Sequence, residues 1–391
     1  MSPGTDTEEV RPMAHEEPRD THAPLEGRSV VVLGATGFLG RHICAAFEEA
    51  RAHVCRVARG AGRGAASPDV VLDLVSATPE RIAQVLAGAG ADIVVNAAGA
   101  VWGVDEQQML RANAELPVRL LEAIGLRPRP PRLVHLGSAH EYGRTPPGAR
   151  IDEELQPAPD GPYGRTKLVG TRAVLEAGRS GSVDGVVLRI SNVSGPAAPG
   201  ESLLGTVAAH LSAVRRAGVR EGFPQVPPLR LAPLRARRDF VDVRDVADAV
   251  VAAARADVRG EVVNIGSGEA VGVRQLTDRL IELSGLPVTV LEEGERPAPA
   301  DREGAAESGR SDAEWQLLDI SRAARLLGWR PRRTLDDSLG DLLAQAVFGG
   351  ATPEAAQAAL GSAPVGVEAR SSPVSEAEIG ERLTSREMRE R

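Results

Sequence analysis

The sequence predicts an α/β fold built on a doubly wound parallel sheet, and three observations carry that prediction. Short apolar runs recur through the first half of the chain, and they are continuously apolar rather than alternating. Strands covered on both faces read this way. Helix-length segments separate the runs, and strands alternating with helices make βαβ units. The first run leads straight into a glycine-rich turn, GATGFLG (34–40), and then into a helix-length segment.

Strands are expected at 29–33, 53–57, 70–72, 93–95, 133–136 and 186–190, with helices at 38–50, 79–86, 106–124 and 163–178. After residue 190 the alternation loosens. Pro- and Gly-rich stretches then separate a helix (203–217), a strand–helix unit (240–255), a strand (262–265) and a helix (273–283). This half reads as a smaller lid whose pieces return to the sheet. Residues 1–26 are acidic, Pro-rich and without periodicity, so a disordered arm is expected there. Residues 294–311 read as a charged loop, and 348–391, rich in Ala, Gly, Ser and Glu, as a mobile tail.

Composition excludes several classes. With 391 residues, 42% hydrophobic and 26% charged, the chain is long enough for one large domain or two small ones. Aromatics are only 3%, so the core must rest on Val, Leu, Ile and Ala. The net charge of −8 offers no general nucleic-acid surface. No apolar run approaches membrane-spanning length, and the polar N-terminal stretch is no secretory signal, so a cytoplasmic location is expected. Cys44 and Cys55 form no CxxC pair and read as small apolar residues rather than a disulfide. The seven histidines show no HxxxH or HExxH spacing, so no metal site is expected.

The glycine turn has the context of a dinucleotide site, strand before and helix after. Gly34 permits the tight turn, Gly37 lets backbone N–H groups approach a pyrophosphate, and Gly40 allows close helix–strand packing. Thr36, Phe38 and Leu39 belong to the same cradle. The end of the second strand selects the dinucleotide: a carboxylate there holds the ribose of NAD, an arginine the 2′-phosphate of NADP. Here Ala58 stands at the acid position and Arg59 follows, with Arg63 close. NADP(H) is therefore preferred over NAD(H), although both arginines also read as surface charge in an arginine-rich protein. Asp73, followed by Leu74, is placed to accept from the adenine amino group. Asn96, Ala97 and Ala98 end the fourth strand, where small residues let a cofactor lie against the backbone.

One residue type is conspicuous by its rarity. Of 46 basic residues a single one is lysine, Lys167, four positions after Tyr163 in YGRTK (163–167). Arginine is a planar fork that keeps its proton, whereas lysine is a compact ammonium with a tunable pKa. Tyr and Lys at this spacing share one helix face. A buried cation beside a phenol lowers its pKa from about 10 towards neutrality. Such a pair serves carbonyl/alcohol chemistry. Ser138, in HLGSAHEYG (135–143), precedes Tyr163 by 25 positions at a strand end facing the ligand crevice.

With these motifs the chain resembles the extended short-chain dehydrogenase/reductases of the NAD-dependent epimerase/dehydratase family over about residues 28–347. Its landmarks are GATGFLG, SAHEYG (138–143), YGRTK, RISNVSGP (189–196), RDFVDVRD (238–245), NIGSG (264–268) and LGWRP (327–331). The resemblance implies a Rossmann-type domain over 27–190, with 236–265 returning to it, and a smaller C-terminal substrate-binding domain mainly over 191–347. It implies Tyr163 as general acid/base, Lys167 on the nicotinamide ribose, and Ser138 on the substrate oxygen. Asn113 would lie near the active-site backbone. Asn192, Arg238 and Arg296 match positions that hold a nucleotide-sugar diphosphate, although APAD after ERP departs from the usual RPGD. A homodimer through helices 106–124 and 163–178 is also implied, by apolar Leu116, Val118, Leu121, Leu168, Val169 and Val174.

Departures from the family narrow the reaction. The 4,6-dehydratases follow Ser/Thr with Asp and Glu, and here Ala139 and His140 stand in those places. Alanine donates no proton, so dehydration is not expected. His140 reads either as a sugar-pocket residue or as a structural histidine. The closest resemblance is to the 4-ketoreductases that finish dTDP-deoxysugars for antibiotic glycosylation. The expectation is NADPH-dependent reduction of a nucleotide-linked 4-keto-6-deoxyhexose. The alternatives are a 4-epimerase with retained NAD and a non-catalytic NADP-binding regulatory protein.

Overall fold

The computed structural model describes residues 24–60, 66–217, 226–293 and 314–348. The first half runs β1 (Ser29–Leu33), α1 (Phe38–Glu49), β2 (His53–Ala58), β3 (Val70–Val71), α2 (Pro79–Gly88), β4 (Ile93–Asn96), α3 (Glu106–Leu110), a π turn (Arg111–Glu115), α4 (Leu116–Gly125), β5 (Arg132–Ser138), α5 (Pro162–Arg179) and β6 (Gly185–Ile190). The second half adds β7 (Asn192–Ser194), α6 (Leu203–Arg216), β8 (Leu229–Leu231), β9 (Arg237–Asp242), α7 (Val243–Arg255), β10 (Val262–Ile265) and β11 (Ala270–Gly272). It closes with α8 (Val273–Ser284), β12 (Val290–Glu292), β13 (Trp315–Gln316), α9 (Ser321–Leu327) and α10 (Leu335–Phe348).

Seven strands pair in the order β10-β6-β5-β4-β1-β2-β3, all parallel. This is the doubly wound sheet the alternation predicts. Its order reverses between β1 and β4, and the crevice beyond the strand ends there is where such sheets take ligands. The continuous apolar runs are explained by two cores. Val30 and Val32 of β1 face one layer with Ile43 and Phe47 of α1 and Val246, Val250 and Ala253 of α7. Val31 and Leu33 face the other with Ile82 and Leu86 of α2, Leu120 and Ile124 of α4, and Val174 of α5. A third core, from Leu204 and Leu211 of α6, Leu276 and Leu280 of α8, and Leu339 and Leu342 of α10, lies in the second half.

The helix expected over 106–124 is three pieces. Pro117 has no N–H to donate to the Asn113 carbonyl, so the α-helical ladder cannot run through, and Leu116 N–H bonds the Arg111 carbonyl instead. β10 joins the central sheet and α7 packs on it, but β9 pairs with β7, β11 and β13 in a smaller one. The buried Asp239 of β9 holds the NIGSG loop through Ser267 N (2.7 Å) and Gly268 N (3.0 Å). Asp245 of α7 holds the segment after LGWRP through Arg333 N (2.9 Å) and Nη1 (2.7 Å). Composition placed Leu25 in the N-terminal arm, yet it is 2% exposed and packs in the first core. Residues 1–23 of the arm, the 294–311 loop and the tail beyond residue 348 lie outside the described residues. Both cysteines are free, Cys44 buried and Cys55 half-buried.

Candidate active site

The phosphate-binding turn is built as its glycines require. Gly34 has φ +80°, and a Cβ there would lie 2.9 Å from Ala98 N and Cα. A Cβ on Gly40 would lie 2.1 Å from the Gly34 carbonyl oxygen. The turn therefore packs backbone to backbone against Ala97 and Ala98. Gly37 begins α1, and no side chain caps that helix start. The first N–H groups, at Phe38, Leu39 and Gly40, are thus available to an anion, which is what a helix N-terminus favours. Thr36, half-buried, lies beside them. These features fit a dinucleotide pyrophosphate.

Ala58 is buried at the end of β2 and Arg59 is exposed just beyond it. Arg63 lies outside the described residues. Asp73 is exposed and its carboxylate accepts from Val75 N (3.2 Å) and Ser76 Oγ (3.0 Å), while Leu74 is buried. Arg119 of α4 steadies this turn by donating to the Val75 carbonyl at 2.8 Å. Asn96 accepts from Ala98 N (3.3 Å) and sets its Nδ2 3.1 Å from His135 Nδ1.

At the end of β5, Ser138 Oγ accepts from His140 N at 3.3 Å and lies 3.3 Å from His140 Nδ1. The His140 ring meets the Tyr163 ring edge-on, with centroids 5.7 Å apart. Gly164 makes this approach feasible, since a Cβ there would lie 2.3 Å from the His140 carbonyl oxygen. Ser138, His140 and Tyr163, 25 residues apart at their extremes in sequence, are thus brought together. Lys167, one turn further along α5, is buried, and its Nζ donates to the Leu136 carbonyl. Burial pulls its pKa down to about 8, while the charge of Glu141 opposes that fall. Tyr142 is fully buried, donates to Asn264 Oδ1 at 2.7 Å, and has its pKa pushed up to about 12 by burial. Of the two tyrosines, only the half-buried Tyr163 is open to a ligand.

Asn113 sits in the π turn, 1% exposed. Its Nδ2 donates to the Ala100 carbonyl (2.8 Å) and to Thr166 Oγ1 (3.2 Å), and its Oδ1 accepts from Ala100 N (2.9 Å). It ties the loop after β4 to α5. In the second half, Asn192 is buried and donates to Gln316 Oε1 (2.8 Å) and the Asp239 carbonyl (3.0 Å). Gln316 stands opposite Arg238 in register and Asn192 opposite Phe240, so Asn192 and Arg238 belong to one small sheet. Arg296 lies outside the described residues.

Sequence reasoning missed a second set of buried polar residues. Glu141, Arg189 and Thr171 form a bonded group beneath Ser138, and His135 lies beside Lys167 with its pKa held well below the usual value by burial and by that lysine. Glu141 and Arg189 stand in two of the landmark motifs, which was the available signal. Among the described residues no cluster of His, Cys, Asp or Glu could hold a metal, and no helix is long and apolar enough to cross a membrane.

The chain is 43% identical over 314 residues to the dTDP-6-deoxy-L-talose 4-dehydrogenase (NAD(P)(+)) of Kitasatospora kifunensis, covering 80% of this chain and 94% of that one. Its fold is similar to RMD from Pseudomonas aeruginosa complexed with NADPH (TM-score 0.68, 22% identity, 83% of this chain and 100% of that one). It is also similar to MoeE5 in complex with UDP-glucuronic acid and NAD (TM-score 0.67, 25% identity, 82% and 99%). Residues 30–266 match the NAD dependent epimerase/dehydratase family, and the chain belongs to it.

Proposed function

We propose that this chain reduces the C4 ketone of a dTDP-linked 4-keto-6-deoxyhexose, with NADPH, in deoxysugar biosynthesis. The observation that carries the reading is the meeting of Ser138, His140 and Tyr163 at the end of β5, with the buried Lys167 one turn along α5. NADPH, when bound, supplies the hydride. Tyr163 gives its phenolic proton to the substrate oxygen, and Ser138 hydrogen-bonds the same oxygen as charge develops on it. Lys167 holds the ribose and favours the phenolate. Gly34, Gly37 and Gly40 hold the pyrophosphate, Arg59 the 2′-phosphate, and Asp73, Leu74 and Asn96–Ala98 the adenosine side of the site. Asn113 fixes the backbone behind it. Asn192 and Arg238 take the sugar nucleotide, with Arg296 a third contact, and His140 lines the sugar end.

The 43% identical relative acts, by its name, as a 4-dehydrogenase of a dTDP-6-deoxysugar with NAD(P)+. Oxidation at C4 is the same chemistry run backwards, which supports the reductase reading. The second reading is a 4-epimerase with retained NAD, since a relative 29% identical over 337 residues is a UDP-glucose 4-epimerase. Ala58, where a carboxylate would grip an NAD ribose, favours the first. The test is a panel of nucleotide 4-ketosugars with NADPH, read by absorbance and by NMR of the product. A single hydroxyl formed at C4 with loss of NADPH absorbance is expected, and no consumption with any ketosugar would sink the proposal.

A further inference from the structure

Three landmark motifs, SAHEYG, RISNVSGP and NIGSG, meet in one buried run of polar groups that the chemistry above leaves unused. Glu141 is fully buried. Its Oε1 accepts from Ser138 N (2.8 Å) and from Thr171 Oγ1 (2.9 Å), and its Oε2 accepts from Arg189 Nε (2.7 Å). Arg189, also buried, lies over the Tyr142 ring at 4.5 Å, and Tyr142 reaches Asn264. Gly137 leaves room for this carboxylate, because a Cβ there would lie 2.8 Å from Glu141 Oε1 and 3.1 Å from Thr171 Oγ1.

The bonds fall in a pattern. Lys167 Nζ attaches α5 to the Leu136 carbonyl, and Thr171, one turn on, attaches it through Glu141 to Ser138 N. Two successive turns of the helix are thus fastened to the last residues of β5. A buried Arg–carboxylate pair alone contributes little against an apolar pair of the same volume, because both charges must leave water. Stability is therefore a weak reason for this ion pair, whereas two of the three Glu141 bonds go to the groups that align Ser138 with α5.

We propose that Glu141 is a positioning residue: its carboxylate sets the register of α5 on β5, placing Tyr163 and Lys167 against Ser138. The inference rests on reading those three residues as the reacting groups. The charge that acts on Lys167 is that of Glu141, and His135 of β5, beside it, is kept neutral by burial.

The chain has one lysine, so lysine labelled with 13C at Cε gives a single NMR signal whose pH titration reports Lys167 in the full protein. Glu141→Gln should move that midpoint down by about one pH unit, the size of effect of one nearby opposite charge. The double variant Glu141→Gln, Arg189→Gln should recover much of the melting temperature lost by the single one, since Arg189 is then no longer left unpaired, yet keep the lowered midpoint. Glu141→Asp keeps the charge but shortens the reach, so the midpoint should hold while kcat falls about tenfold or more with KM little changed. A folded double variant with the unsubstituted midpoint, or Glu141→Asp with undiminished kcat, overturns the inference. The titration needs neither sugar nor turnover, so a protein that reduces no ketosugar would end the functional proposal and leave this result readable.

Discussion

A cation held out of water beside a phenol makes it the stronger acid, and in the proposed reaction Lys167 would supply that cation at the cost of its own basicity. The sign is direct: below a midpoint of about 8 the buried amine is charged, and above it neutral. The single lysine signal of the cofactor-free protein should therefore titrate near 8, and a midpoint at the ordinary 10.5 would contradict the burial described. In the proposed site, where the ammonium would hold the ribose, cofactor binding should weaken as pH rises through that value. Arg59 carries the second residue-scale prediction. Arg59→Ala should weaken NADPH binding by about 1–3 kcal/mol, one charge-assisted contact, and leave NADH nearly unchanged. Equal loss for both cofactors, by calorimetry, would remove Arg59 from the 2′-phosphate. Motif spacing singles out Ser138, Tyr163 and Lys167, and the fold brings Ser138 and Tyr163 to His140. Glu141 and Arg189 were legible as motif members but not as a buried pair, because burial of a charge is decided by which elements fold over it.

At the scale of elements, short apolar runs announced the seven-stranded sheet; β2, β4, β5 and β6 gained residues at their ends and β3 lost one. β7, β8, β11, β12 and β13 are two or three residues each, too short to show a period. The π turn was hidden in a pattern that reads as one helix, although Pro117 marked the place where the ladder had to break. Close approach of α5 to the loop after β5 is equally invisible until both are placed. It makes Gly164 testable. Gly164→Ala should destabilise the fold by about 1–3 kcal/mol, as overpacking does, and lower kcat by moving the start of α5. Gly340→Ala in α10, where a Cβ meets nothing within 4 Å, should instead stabilise by about 0.5–1 kcal/mol. Thermal melts and turnover of both variants check this, and an unaffected Gly164→Ala would contradict the packing.

For the whole molecule, association follows from what the cores leave outside. Of the six apolar residues assigned to a dimer face, Leu116, Leu168 and Val174 are buried in the chain's own core and Leu121 is partly so. Val118 of α4 and Val169 of α5 remain, 39% and 49% exposed on two helices that pack together. We propose a homodimer through this face. Light scattering at micromolar concentration should give twice the chain mass, reduced by Val169→Glu, and a strict monomer would exclude it. The direction of the chemistry is tested most directly by stoichiometry. Purified protein mixed with a dTDP-4-keto-6-deoxyhexose should oxidise one NADPH for each sugar reduced, and Tyr163→Phe should abolish this while NADPH affinity holds. A protein that instead purifies with bound NAD and interconverts two hydroxy sugars without added cofactor would contradict the account.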